Sequence, residues 1–246
     1  MTRLALVTGG SRGIGRAIVE RLARDGADVA FIYRRDAAAA AEVEANVRAL
    51  GRRCLALQAD LGEPAALAAA LDRLEAETDH VDVLVANAAA TAFKPLLEVK
   101  PHHVEKTYAI TVGAFLQMIQ RLAPRMPGGG RIVTISGMDT HRYVAGHGVL
   151  ASAKAALEAL TRYLAVELGP RGITVNCIAP GKINTARLEQ LSPEGPSQDE
   201  LNAIPLGRLG TPQEFGDVAC FLASDRARYI TGTTVLVDGG LSRGLF

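Results

Sequence analysis

Seven short apolar runs, separated by longer stretches of helical character, constrain this chain more than any other feature of its sequence. The runs are Leu4–Thr8, Asp28–Tyr33, Arg53–Ala59, Val81–Ala86, Gly130–Ser136, Ile173–Ala179 and Thr233–Val237. Each is almost continuously apolar, as strands buried on both faces should be. Between them the pattern turns helical. Arg16–Asp25 stops at Gly26, and Ala37–Leu50 ends at Gly51. Ser152–Leu168 carries Ala153, Ala156, Leu157, Leu160, Leu164 and Leu168 on one face before Gly169-Pro170 breaks it. Such alternation predicts an α/β chain with a seven-stranded parallel sheet, doubly wound with helices on both faces. No repeat or linker divides it, so residues 1–246 are expected to form a single domain. One segment breaks the rhythm. Lys182–Leu209 is long and polar and carries Pro193, Pro196 and Pro205, which marks a substrate lid at about 182–209. Leu188, Leu191 and Leu201 within it suggest an apolar cover.

Charge and composition narrow the partners. A net charge of +1 gives no footprint for nucleic acid or an anionic membrane surface. No run approaches the ~18 apolar residues of a membrane span, and the N-terminus runs directly into a strand pattern. Cys54, Cys177 and Cys220 are far apart and odd in number, which suits reduced thiols. A cytoplasmic location and a small-molecule substrate are the expectation.

The first strand leads into Thr8-Gly9-Gly10-Ser11-Arg12-Gly13-Ile14-Gly15 and then a helix. Glycines at a first strand–helix junction let a pyrophosphate approach the backbone, where unpaired N–H groups and the helix dipole favour an anion. The pattern predicts a Rossmann fold holding a dinucleotide, with Gly9, Ser11, Arg12, Gly13, Ile14 and Gly15 around the phosphates. The end of the second strand decides which one. An acid there would accept hydrogen bonds from a ribose 2′-hydroxyl, whereas arginine suits a 2′-phosphate. The chain reads Tyr33-Arg34-Arg35, with Arg12 nearby and no acid before Asp36. The expected cofactor is NADP(H).

The spacing Gly-x-x-x-Gly-x-Gly resembles that of the short-chain dehydrogenase/reductase family, and the resemblance extends along essentially the whole chain. Asp60-Leu61 looks like the family's adenine contact. Asn87-Ala88-Ala89 is similar to its Asn-Asn-Ala-Gly element, with Ala86 and Ala89 departing from it. Pro180-Gly181-Lys182-Ile183-Asn184-Thr185 matches the turn that holds the nicotinamide carboxamide and a phosphate, so the resemblance assigns Pro180, Gly181, Ile183 and Thr185 to the cofactor. Val237-Asp238-Gly239-Gly240 matches the family's C-terminal strand end. The resemblance also implies a homotetramer or homodimer, paired through helices at Pro101–Arg125 and Ser152–Leu168.

The family's catalytic group is mostly missing. The resemblance implies a tyrosine four residues before a lysine that holds the nicotinamide ribose, with a serine and an asparagine completing the relay. Lys154 is present, but the tyrosine position is Leu150, the serine position Gly137 and the asparagine position Ile110. None of the three replacements can exchange a proton. Two stretches, 154–168 and Arg142-Tyr143, are similar to the bacterial type III enoyl-acyl-carrier-protein reductases. Those place a tyrosine seven residues before the lysine, where this chain has His147. A histidine suits proton transfer at neutral pH, and His147 is equally readable as an inert loop residue between two glycines. Tyr143 is a second candidate donor, or an aromatic that packs on the lid. Asp139 and His141 share the loop, and Ser136 could reach a carbonyl only if the strand end shifted.

Three functions stay open. The chain could be an NADPH-dependent reductase with an atypical donor, acting on an enoyl thioester, carrier-protein-linked or free, or on a ketone of a secondary-metabolite intermediate. It could keep the cofactor structurally and isomerise, dehydrate or cyclise. It could be a non-catalytic partner subunit.

Overall fold

The computed structural model describes residues 2–185, 188 and 194–243. All seven expected strands form one parallel sheet: β1 Leu4–Thr8, β2 Asp28–Tyr33, β3 Cys54–Gln58, β4 Val83–Ala86, β5 Arg131–Ile135, β6 Thr174–Pro180 and β7 Thr234–Val237. Their order is β3-β2-β1-β4-β5-β6-β7. Successive side chains of a strand face opposite ways, and both faces are filled. Leu6 joins Ile32, Leu84, Phe115 and Met118 on one side. Ala5 and Val7 join Phe31, Ile18 and Phe215 on the other. This is why the strand segments read as unbroken apolar runs. The strand order reverses between β1 and β4, and in open sheets of this kind ligands bind beyond the carboxyl ends of the strands at that point.

Helices α1 (Gly13–Arg24), α2 (Ala37–Ala49) and α3 (Pro64–Glu77) follow the first three strands. The expected helix over 101–125 is instead broken in two. Helix α4 (Pro101–Tyr108) passes through a wide π turn, Ala109–Gly113, before α5 (Ala114–Leu122). Such single wide turns shift the residues they carry out of helical register, and they recur at functional sites.

Helix α6 (Gly148–Leu168) starts one turn earlier than expected, so His147 is its N-cap residue rather than a loop residue. Its sheet-facing stripe also differs from the apolar face read from the sequence. Ala153, Leu157 and Leu164 are buried with the polar Lys154, Glu158 and Thr161, while Ala156 and Leu160 are only half-buried.

The segment 182–209 is not a plain loop. An Ile183–Gly210 bridge closes its base, and Asn184 N donates to Gly210 O at 2.8 Å. Helix α7 (Gln198–Asn202) starts at a capping box between Ser197 and Glu200, and Lys182 pairs with Glu200. Leu188 and Leu201 are half-buried, whereas Leu191 and Pro193 lie outside the described residues. Helix α8 (Pro212–Leu222) then packs on α1. The three cysteines are buried and free. Among the described residues, no helix is long and apolar enough to cross a membrane, and no group of His, Cys, Asp or Glu is placed to hold a metal ion.

Candidate active site

The nucleotide half of the site is built from backbone. Gly9 N and Gly10 N donate to Ile32 O at 2.8 and 3.2 Å, which folds the loop over the end of β2. A Cβ on Gly15 would be driven into the Gly9 carbonyl, so the first turn of α1 can tuck against the loop only because that residue is glycine. Asn87 at the end of β4 braces the same turn. Its amide donates to Thr8 O at 2.9 Å, and its backbone N and that of Ala88 donate to Thr8 Oγ1 at 3.0 and 2.9 Å. Arg12 occupies the N-cap of α1 but forms no side-chain cap, so the first N–H groups there keep no side-chain acceptor. Thr185 stands across from Gly13 and carries the 180–185 turn to the loop. Gly181 closely approaches Asp238 beyond β7, where a Cβ would overlap the Asp238 backbone.

The rim supports a phosphate-bearing ribose. Arg12, Arg34 and Arg35 are exposed and, among the described residues, take part in no ion pair. Asp36, the nearest acid, is engaged locally, where its carboxylate caps α2 by accepting from Ala39 N at 2.9 Å. Asp60 accepts from Gly62 N at 3.0 Å in its own turn. Leu61 sends its side chain into the core, so any ligand contact there falls to Asp60 or the backbone. Ser11 is buried at the loop, while Ile14 and Ala89 are half-buried at its edge. A backbone cradle, a close helix N-terminus and three unpaired cations together fit NADP(H).

The substrate half is built from side chains. Lys154 is buried on α6 and donates to Ile135 O at 2.5 Å. Burial pushes its ammonium down to about 8, against the smaller opposing pull of Cys177 and Asp139. Asp139 lies in a short 3-10 turn, Met138–Thr140, just beyond β5. Its Oδ2 meets His147 Nδ1 at 2.9 Å, and only 7% of its side chain is exposed. Phe93 stacks against the His147 ring at 4.6 Å between centroids, and Lys94 N donates to Gly146 O beside it.

A second carboxylate fixes that turn from behind. Glu158 Oε1 accepts from Ser136 Oγ at 2.6 Å and Thr140 Oγ1 at 2.7 Å, with His141 Nε2 at 3.5 Å. Arg142 Nη1 reaches Leu241 O at 2.9 Å and ties the loop to the C-terminal segment.

The structure brings His147, the first donor candidate, and Lys154 to one end of the sheet. Tyr143 is 88% exposed. Ser136 donates its hydroxyl to Glu158. Ile110 is buried in the core against Gly62. Glu158 was missed from the sequence, although an acid one turn beyond Lys154 on a sheet-facing helix stripe was a usable signal.

The chain matches the family described as enoyl-(acyl carrier protein) reductase over residues 9–242. It is 40% identical over 243 residues to the 1-cyclohexenylcarbonyl-CoA reductase of Streptomyces collinus, covering 98% of this chain and 87% of that protein. Among solved structures, a blue fluorescent protein from a metagenomic library, in complex with NADPH, is 40% identical with a TM-score of 0.91 and covers 97% of both chains. The angucycline C-6 ketoreductase LanV with bound NADP is 35% identical, also at 0.91, covering 98% of this chain and 96% of that one.

Proposed function

This chain belongs to the short-chain dehydrogenase/reductase family, and on that premise we propose that it is an NADPH-dependent reductase whose proton donor is His147. The observation that carries this reading is the 2.9 Å contact between Asp139 and His147 at the sheet end that holds the buried Lys154. The glycine loop and the 180–185 turn would hold the pyrophosphate and carboxamide, and Arg12, Arg34 and Arg35 the 2′-phosphate. When bound, the reduced nicotinamide supplies a hydride to the substrate carbon.

The favoured substrate is an α,β-unsaturated acyl thioester, as the name of the Streptomyces collinus relative suggests. Reduction of such a thioester needs one proton at the carbon next to the thioester carbonyl. His147 can deliver it from Nε2, because Nδ1 is engaged by Asp139. Lys154 keeps two N–H donors beyond the one held by Ile135 O, which suits it to hold the nicotinamide ribose. The segment 182–209 would cover the bound substrate and exclude water. A ketone is the second reading, favoured by the likeness to LanV. Val104, Tyr163 and Val166 are exposed on α4 and α6, which supports pairing of these helices between subunits of a homotetramer or homodimer.

The test follows the absorbance of NADPH while enoyl thioesters and hydroxyaryl ketones are presented. Oxidation matched by formation of the saturated thioester is the expected result. Product formed with no oxidation would assign the cofactor a structural role and overturn the reading.

A further inference from the structure

Resting on the reading of His147 as donor, we propose that Asp139 is its positioning residue and that Gly137 is the space the Asp139 carboxylate requires. Three observations converge. The Asp139 side chain is more than nine-tenths buried, where a carboxylate needs a partner. One of its oxygens, Oδ2, is engaged by His147, while Oδ1 is buried without a hydrogen-bond partner among the described residues. Oδ1 lies where a side chain of residue 137 would begin, since a Cβ on Gly137 would overlap it. The carboxylate is thus held at the end of β5 in a volume that any other residue at 137 would fill.

The turn that carries it is not free to drift. Thr140 and Ser136 anchor it to Glu158 on α6, and Arg142 anchors it to the C-terminal segment. Lys154 on α6 feels the Asp139 charge, and His141 and Glu158 complete the titratable groups around the turn. A carboxylate bound to Nδ1 holds an imidazole with Nδ1–H directed inward, and it stabilises the imidazolium. His147 then has Nε2–H as the only proton it can give. After transfer the ring is neutral, Nδ1–H still bonded to Asp139, and one proton from water restores it.

The test is a double-mutant cycle with kcat, KM and NADPH affinity measured on each variant. Asp139→Asn keeps the shape but offers an N–H to Nδ1, which favours the wrong tautomer. It should lower kcat on the order of a hundredfold with KM little changed, and leave NADPH affinity within about twofold. Gly137→Ala keeps the carboxylate but pushes it off Nδ1, and should lower kcat roughly tenfold. In the Asp139→Asn background the same alanine should cost almost nothing more. Full additivity, or an Asp139→Asn enzyme with wild-type kcat, would overturn the inference. If His147→Ala is damaging while Asp139→Asn is silent, this inference alone falls. If His147→Ala is silent, the donor reading itself falls.

Discussion

The two halves of the site are made of different material. The nucleotide half is main chain: Gly9, Gly10 and Gly15 shape a loop, Asn87 and Thr8 brace it, and side chains enter chiefly as three arginines at the rim. The substrate half is side chain: Asp139 on His147, Glu158 on Ser136 and Thr140, Lys154 beneath. A main-chain cradle depends on absent atoms, so few residue types can serve there. A side-chain site depends on which groups converge, and convergence can be rebuilt with other residues. On the proposed reading, the chain keeps a main-chain binding half and takes its proton from His147.

Breaking the cradle should give the largest effect on NADPH binding. Gly15→Ala drives a methyl into the Gly9 carbonyl, so the loop or α1 must move. NADPH affinity, measured by fluorescence titration, should fall by about a hundredfold or more, with loss of stability as well. A variant that binds normally would show that the loop tolerates a wider approach to α1.

Lys154 probes the other half through pH. Its folded value, about 8, lies below the ordinary 10.5, so the folded chain gives up this proton first. The burial penalty is therefore present below about pH 8 and is relieved as pH rises towards 10.5. Lys154→Met removes that dependence. Wild-type stability relative to the variant, from denaturant titrations, should rise by up to a few kcal/mol between about pH 7 and 10.5. A difference that stays flat would contradict a desolvated ammonium.

The rim should respond least. Arg34→Asp with Arg35→Ala should weaken NADPH by on the order of tenfold or more and leave NADH nearly unchanged, because exposed charges are screened. Equal losses for both cofactors would remove the arginines from the 2′-phosphate.

The same contrast explains what the sequence disclosed. Strands β1 and β2 fall on their expected bounds, since a strand packed on both faces leaves an unbroken apolar run. The glycine loop is legible because its constraints are local. The π turn at Ala109–Gly113 is not, because nothing in Ile110-Thr111-Val112 marks a widened helix. Nor is the Asp139–His147 contact, which depends on how a 3-10 turn presents one residue to the start of α6. Tyr143 is the second candidate in the chain, and its exposure, with the Asp139 contact of His147, separates the two.

Proton donation by His147 is tested most directly by His147→Ala, assayed with saturating NADPH and an enoyl thioester beside a titration of NADPH affinity. Affinity should stay within about twofold of wild type while kcat falls by roughly two to four orders of magnitude, the span of general acid catalysis. An unchanged kcat would contradict the assignment, leaving the binding half standing without the proton donor given to the other.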